Sequence, residues 1–129
     1  MANKKKIIND PVFGFITLPS ELLYDLLQHP LVHRLTRIKQ LGLTSYVYPG
    51  TQHTRFQHSL GALHLMTEAI KTLQNKGNEI TDDEANAVYA AILLHDLGHG
   101  PFSHTLEDFF FTNHSHEEVG LALIEQLNQ

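Results

Sequence analysis

The sequence has no cysteine, and no run of apolar residues approaches the roughly 18 that a membrane-spanning helix requires. Without thiols there is no disulfide framework and no thiolate metal site, so metal ligands here must be imidazole or carboxylate. The absence also fits a cytoplasmic protein, which is the expected location. Basic residues are scarce: 9 Lys and Arg stand against 14 Asp and Glu, for a net charge of −5. That balance gives no global pull toward nucleic acid, which is not an expected partner. The one basic run, Lys4-Lys5-Lys6, suffices for a tail or a local anion contact, and no signal-type apolar block follows it. A membrane is not expected as a partner either. With 129 residues, 42% of them apolar, the chain can bury one core, so it is read as a single unit or part of a larger one.

What remains is a helical pattern. An extended opening, Ile7 to Leu18, is broken by Pro11 and Gly14. Ser20 then reads as the N-cap of a helix over Glu21–Gln28, with Leu22, Leu23, Leu26 and Leu27 on one face. Pro30 starts a second helix to about Leu41, striped by Leu31, Leu35 and Ile38 and stopped by Gly42. Ser45 to Tyr48 reads as a short extended segment or loop ending in Pro49-Gly50. A long helix follows from about Gln57 to Asn75, and Thr81-Asp82-Asp83-Glu84 is a capping box for a helix reaching Leu97. Helices near Ser103–Phe111 and Ser115–Leu127 complete an all-α architecture without repeats.

Histidine is abundant where this pattern breaks. The stretch Leu94-His95-Asp96-Leu97-Gly98-His99-Gly100-Pro101-Phe102-Ser103-His104 places three histidines within ten positions, behind an apolar approach over Ala90–Leu94. An imidazole and a carboxylate buried at a helix end cost several kcal/mol unless something pairs with them. A metal ion answers that need, with His58 on a separate helix as the third ligand; a simple His-Asp hydrogen bond answers it too. Adjacent helix positions point about 100° apart, so a shared ion has to sit off the helix end, where Gly98 opens space. His95 with His99 as helical zinc ligands ranks second, since Gly98 interrupts that helix. Two histidines and one carboxylate leave coordination positions open, as water activation or phosphoryl polarisation requires. The donors suit first-row divalent ions (Mn, Fe, Zn, Co, Ni) and, less well, Mg.

The motifs Val47-Tyr48-Pro49-Gly50, His53-Thr54-Arg55-Phe56-Gln57-His58-Ser59-Leu60-Gly61 and His95-Asp96-Leu97-Gly98-His99-Gly100-Pro101-Phe102-Ser103-His104 resemble the HD-domain metallohydrolases. Within that superfamily the likeness is to deoxynucleoside triphosphate triphosphohydrolases; Ile8-Asn9-Asp10-Pro11 and Arg37-Ile38-Lys39-Gln40-Leu41-Gly42 fit the same group. The resemblance implies a helical HD bundle over residues 1–129. It makes His58, His95 and Asp96 the ligands of a divalent metal, and sets His99, His104 and His116 around the phosphates for proton transfer. Glu107, where relatives often carry aspartate, would orient His104. Gln40 and Leu41 would line the sugar side of the pocket, and Arg55 would contact phosphate. Taken without the resemblance, Arg55 reads as a surface or capping residue, Gln40 as an exposed helix residue, Leu41 as core and His116 as a cap. His29, His33, His53, His64 and His114 read as structural or solvent-facing, and Tyr46, Tyr48 and Phe109-Phe110-Phe111 as packing, the phenylalanine triplet alternatively as cover for a partner surface. The implied reaction converts dNTP to deoxynucleoside and triphosphate in a homo-oligomer. Lys6 and Asn9 fit a regulatory nucleotide site in some relatives, whereas Gln28, His33 and Thr36 depart from its pattern. HD enzymes add a downstream aspartate to the metal shell, and no aspartate follows Asp108. The expectation is therefore an N-terminal portion of a longer enzyme. The alternatives are a non-catalytic HD module that binds nucleotide or a partner subunit, and an HD phosphodiesterase or nucleotidase for another phosphate ester.

Overall fold

The computed structural model describes residues 6–127; Lys4 and Lys5 of the basic run, and Asn128 and Gln129, lie outside the described residues. The extended opening folds back on itself as an antiparallel hairpin of β1 (Ile7–Asp10) and β2 (Gly14–Thr17), with Ile8 opposite Ile16. Asp10 closes the turn: its carboxylate accepts the backbone N–H groups of Val12 and Phe13 at 2.8 and 2.9 Å, and Gly14 takes the left-handed φ of 73°. Ile16 and Leu18 are thereby driven into the core, and the Lys6 ammonium lies 4.7 Å over the Tyr24 ring.

Helix α1 (Glu21–Gln28) buries Leu23 and Leu27 but leaves Leu22 half exposed. Ser20 holds the N-cap position without making the expected side-chain bond. The predicted helix from Pro30 to Leu41 is not continuous. Helix α2 spans Pro30–His33 and passes into a 3₁₀ turn over Arg34–Arg37, after which Ile38 is extended (φ −110°, ψ 113°). The competing interaction is a pairing with the approach to the next helix. Arg55 N–H donates to the Ile38 carbonyl at 2.8 Å, Gln40 N–H donates to that of His53 at 3.1 Å, and Lys39 bridges Thr54. The apolar stripe survives this change, because Leu35 and Ile38 are buried all the same. Of the two readings of Ser45–Tyr48 the loop holds: a 3₁₀ turn runs over Gly42–Tyr46 and irregular turns follow it.

Helix α3 (Arg55–Asn75) begins two residues before the expected start because Thr54 and Gln57 form a reciprocal capping box. Helix α4 (Asp82–Leu94) has the expected capping box of Thr81 with Glu84, and ends at Leu94 rather than Leu97. These two helices pack against each other around Leu60, Leu63, Ile70, Ala85, Tyr89 and Leu93. The region predicted as one helix from Ser103 to Phe111 is a 3₁₀ turn, Ser103–Leu106, followed by the short α5 (Glu107–Phe110). Helix α6 spans His116–Leu127. The molecule is thus all-α with a single hairpin, and no helix among the described residues is long and apolar enough to cross a membrane.

Two contacts fix the segment after α4. Fully buried Leu93 and Leu97 anchor it in the core on either side of His95 and Asp96. The Arg34 guanidinium binds the carbonyls of Leu97 and His99, the latter at 2.8 Å, satisfying groups that a helix end leaves open. On the other side α6 lies against Gly98. A Cβ at that position would collide with the His116 carbonyl oxygen and fall 2.6 Å from the Gly120 nitrogen. Gly98→Ala is therefore expected to push α6 outward at a cost of about 1–3 kcal/mol. Denaturant unfolding reads this directly, and a variant as stable as the wild type would contradict the packing.

The aromatic residues predicted to pack do not all do so within this chain. Tyr46 is 85% exposed, and Tyr48, Phe109 and Phe110 are also open to solvent. The reason lies in their carriers: short 3₁₀ and α-helical turns hold few residues on an inner face, so successive side chains point outward.

Candidate metal centre and adjoining histidine cluster

The end of α4 and the first turn of α3 bring three side chains together. His58 Nε2 and His95 Nε2 lie 3.3 Å apart, His95 Nε2 is 3.4 Å from Asp96 Oδ1, and His58 Nε2 is 3.7 Å from Asp96 Oδ2. Ligands at 2.0–2.1 Å around one tetrahedral ion stand about 3.4 Å from one another, so the spacing fits a shared divalent cation. Tautomers support the same reading. His95 Nδ1 lies 2.7 Å from the Ile92 carbonyl and must donate its proton there, which leaves the Nε2 lone pair facing His58. Burial lowers the His58 pKa, and the neutral imidazole is the form a metal binds. The helix ends before the expected break at Gly98, so the doublet lies at its end: His95 is the C-cap of α4, and both His95 and Asp96 reach His58.

Asp96 is buried beside Arg55, whose Nη1 donates to Oδ2 at 2.6 Å. Burial alone would raise the Asp96 carboxyl; the His99 imidazole 3.4 Å away and the Arg55 guanidinium outweigh it and hold the group below the usual carboxylate range. Arg55 is itself only 4% exposed. Its Nε donates to Ser103 Oγ at 2.9 Å, and Ser103 in turn donates to the Lys39 carbonyl at 2.7 Å. It is therefore neither a surface residue nor a helix-capping one, and its fork is committed to the doublet and to the turn beyond it. Ser103 was not singled out from the sequence. A lone serine beside glycine and proline carries no signal there, and its role depends on the left-handed backbone of Phe102 and Ser103, φ 63° and 53°. Arg34 is a second residue that sequence reasoning passed over, since a distant arginine gives no local sign of the carbonyls it will meet.

His99, His104, Glu107 and His116 form a second group, with one ligand atom from each lying within 4.8 Å of the others. The His99 ring stacks on His116 at 4.0 Å and meets His104 edge-on at 4.6 Å. Glu107 organises the rest. One carboxylate oxygen accepts from His104 Nδ1 at 2.6 Å; the other accepts from His116 Nδ1 at 2.5 Å and from the His116 backbone N–H at 2.9 Å. Burial would raise the Glu107 carboxyl, but these bonds bring it down to about 2. His116, offered by the sequence as a cap, does begin α6, with the Glu107 carboxylate closing the helix end.

Gln40 and Leu41 part company. The Gln40 side-chain oxygen lies 2.7 Å from His53 Nε2, and both residues line a groove of about 350 Å³ that reaches His58 and is walled by Val12, Phe13 and Leu65. Leu41 lies outside that groove and is largely exposed, so it is not a core residue in this chain. His53, expected to be structural or solvent-facing, is exposed, and the groove adds it to the residues beside the centre. His33 packs on Phe56, His64 on Phe13, and His114 pairs with Glu118, all away from the doublet.

Known proteins are similar to this chain over nearly its whole length. An uncharacterized protein of Bacillus subtilis, YwfO, is 38% identical over 94% of this chain and 28% of its own length. The human deoxynucleoside triphosphate triphosphohydrolase SAMHD1 is 40% identical over 95% of this chain and 21% of its own length. A crystal structure of a phosphohydrolase from Bacteroides thetaiotaomicron superposes with a TM-score of 0.92 at 67% identity, covering 97% of this chain and 31% of that one. The chain thus spans between about a fifth and a third of the length of these relatives. The sequence pattern of the HD domain matches residues 55–129, from Arg55 at the start of α3 through the doublet to the end of the chain, and the protein belongs to the HD-domain family.

Proposed function

We propose that this chain carries the metal-binding and proton-transfer parts of a phosphohydrolase, and that the reaction is hydrolysis of dNTP to deoxynucleoside and triphosphate. The observation that carries the reading is the 3.3–3.7 Å convergence of His58, His95 and Asp96 beside a separate group of three imidazoles and a carboxylate. A divalent ion held by His58, His95 and Asp96 would polarise a phosphoryl oxygen and lower the pKa of water. Asp96, kept ionised by Arg55, supplies the negative charge of that donor set. Three protein donors leave positions for substrate and solvent, the pattern of catalytic rather than structural sites.

The chain's own residues supply the remaining chemistry. With His104 Nδ1 bound to Glu107, its Nε2 is free to give or take a proton at the phosphate, and the carboxylate steadies the imidazolium that results. His116 shares the same carboxylate and His99 lies against both rings, so the three act as one proton-handling unit. Gln40, held by His53 at the groove beside His58, is placed for the sugar. Leu41, outside the groove, is assigned to the rim of the same pocket. Arg55 acts through Asp96 and Ser103, with phosphate contact secondary to that. The dNTP assignment leans on the names of the SAMHD1 relatives. The homo-oligomer is proposed on the exposed Tyr46, Tyr48, Phe109 and Phe110, apolar surface of the kind subunits cover.

The test is product analysis of the metal-loaded protein with each dNTP and Mn²⁺, Mg²⁺ or Co²⁺. Triphosphate and deoxynucleoside are expected, and both vanish in His95→Ala. Release of orthophosphate or a nucleoside monophosphate would point to a phosphodiesterase or nucleotidase instead. No turnover of any phosphate ester, with metal still bound at the doublet, would make the chain a non-catalytic nucleotide- or partner-binding module.

A further inference from the structure

We propose that His99, His104, Glu107 and His116 form a second cation site, closed rather than catalytic, which takes a zinc-type divalent ion and thereby switches off proton transfer. The inference deepens the reading above, since it assigns a regulator to the same proton-handling unit.

The donor sets of the two groups differ in kind. His58, His95 and Asp96 provide three donors and leave positions open. The second group provides four, three imidazoles and one carboxylate, with one ligand atom from each within 4.8 Å of the others. Four protein donors complete a tetrahedral shell, which is how structural zinc sites are built, and the imidazole majority favours zinc over magnesium. The group is already drawn together: Glu107 holds His104 Nδ1 at 2.6 Å and His116 Nδ1 at 2.5 Å. A cation entering there replaces those bridging protons without bringing in a distant element, once the His99 ring turns out of its stack on His116 to aim a nitrogen at the ion. His99 adds an independent sign. Its ring is 1% exposed and its Nδ1 is buried with no hydrogen-bond partner among the described residues, an arrangement that native interiors rarely tolerate. Access is not obstructed, because the His104 side chain is 65% exposed. An ion in this shell takes the Nδ1 of His104 and of His116 and the charge of Glu107, so each Nε2 keeps its proton and can no longer accept one, and no carboxylate is left to steady an imidazolium.

Zinc titration of the chelator-stripped 129-residue protein, by competition with a chromogenic chelator, tests the site without reference to turnover. Two ions per chain are expected. Glu107→Gln and His104→Ala should each weaken one of them on the order of 100-fold and spare the other, with His95→Ala doing the reverse. His104→Ala changes an exposed side chain, so it serves even if Glu107→Gln does not fold. A single ion in the wild type, or a second ion indifferent to both substitutions, overturns the site. With Co²⁺ or Mn²⁺ already at the doublet, added zinc should abolish hydrolysis over the concentration range that fills the second site. Full activity with that site occupied would overturn the switch while leaving the phosphohydrolase reading intact. Two bound ions in a protein without turnover would remove that reading and keep the site.

Discussion

Asp96→Asn is expected to strip the divalent ion from the doublet and to lower kcat/KM by about 10³-fold or more, since the ion supplies several kcal/mol of charge stabilisation. Asparagine keeps the size of the side chain and an oxygen for the Arg55 fork, 2.6 Å from Asp96 Oδ2 in the native protein, so the fold should persist. It lacks the negative charge that His58 and His95 cannot provide. Metal content and product formation are measured on the same preparation. An Asp96→Asn variant that retains a stoichiometric ion and its activity would remove Asp96 from the metal shell. Asp96→Ala should lose the ion in the same way and in addition unfold more easily, because the Arg55 guanidinium is then buried without a counter-charge.

The converse substitution carries the largest expected effect on stability. Arg55→Ala leaves the Asp96 carboxylate buried and frees Ser103, and breaking a buried pair in this way costs about 3–5 kcal/mol. The midpoint of chemical denaturation reports the loss. A second measurement identifies its cause: in Arg55→Ala a divalent ion replaces the guanidinium as the counter-charge of Asp96, so adding metal should stabilise the variant by more than it stabilises the wild type. If metal has the same effect on both proteins, the guanidinium is not the counter-charge of the doublet.

The sequence showed the helices wherever an apolar stripe coincided with a start signal. Thr81-Asp82-Asp83-Glu84 marked the start of α4 to the residue, and Thr54 with Gln57 holds the same signal for α3 two residues before the apolar pattern suggests. It hid the break after His33 because Leu35 and Ile38 are buried under either conformation, and the backbone pairing of Ile38 with Arg55 joins segments that are 17 positions apart. The HD motifs disclosed which residues cluster, since family spacing encodes that directly. They did not disclose the layering within the cluster. Arg55 in a loop-helix junction looks the same whether it faces solvent or Asp96, and Ser103 and Arg34 acquire their partners only where segments distant in sequence meet, Ser103 at Arg55 and Lys39, Arg34 at the carbonyls of Leu97 and His99. Long-range polar contacts of this kind leave no periodicity to read.

The ion pair of Arg55 with Asp96 also sets the order in which the protein is assembled. In small zinc modules the metal is the only partner for the buried ligands, so folding waits for it. Here the carboxylate already has its opposite charge from the same chain, and His95 is already anchored to the Ile92 carbonyl. With His58, His95 and Asp96 as the proposed ligands, the chain is expected to complete its fold without the ion and load afterwards, exchanging one divalent ion for another without coming apart. The guanidinium that makes this possible also competes with the ion for Asp96, so the affinity of the centre is tempered by the residue that preserves its shape.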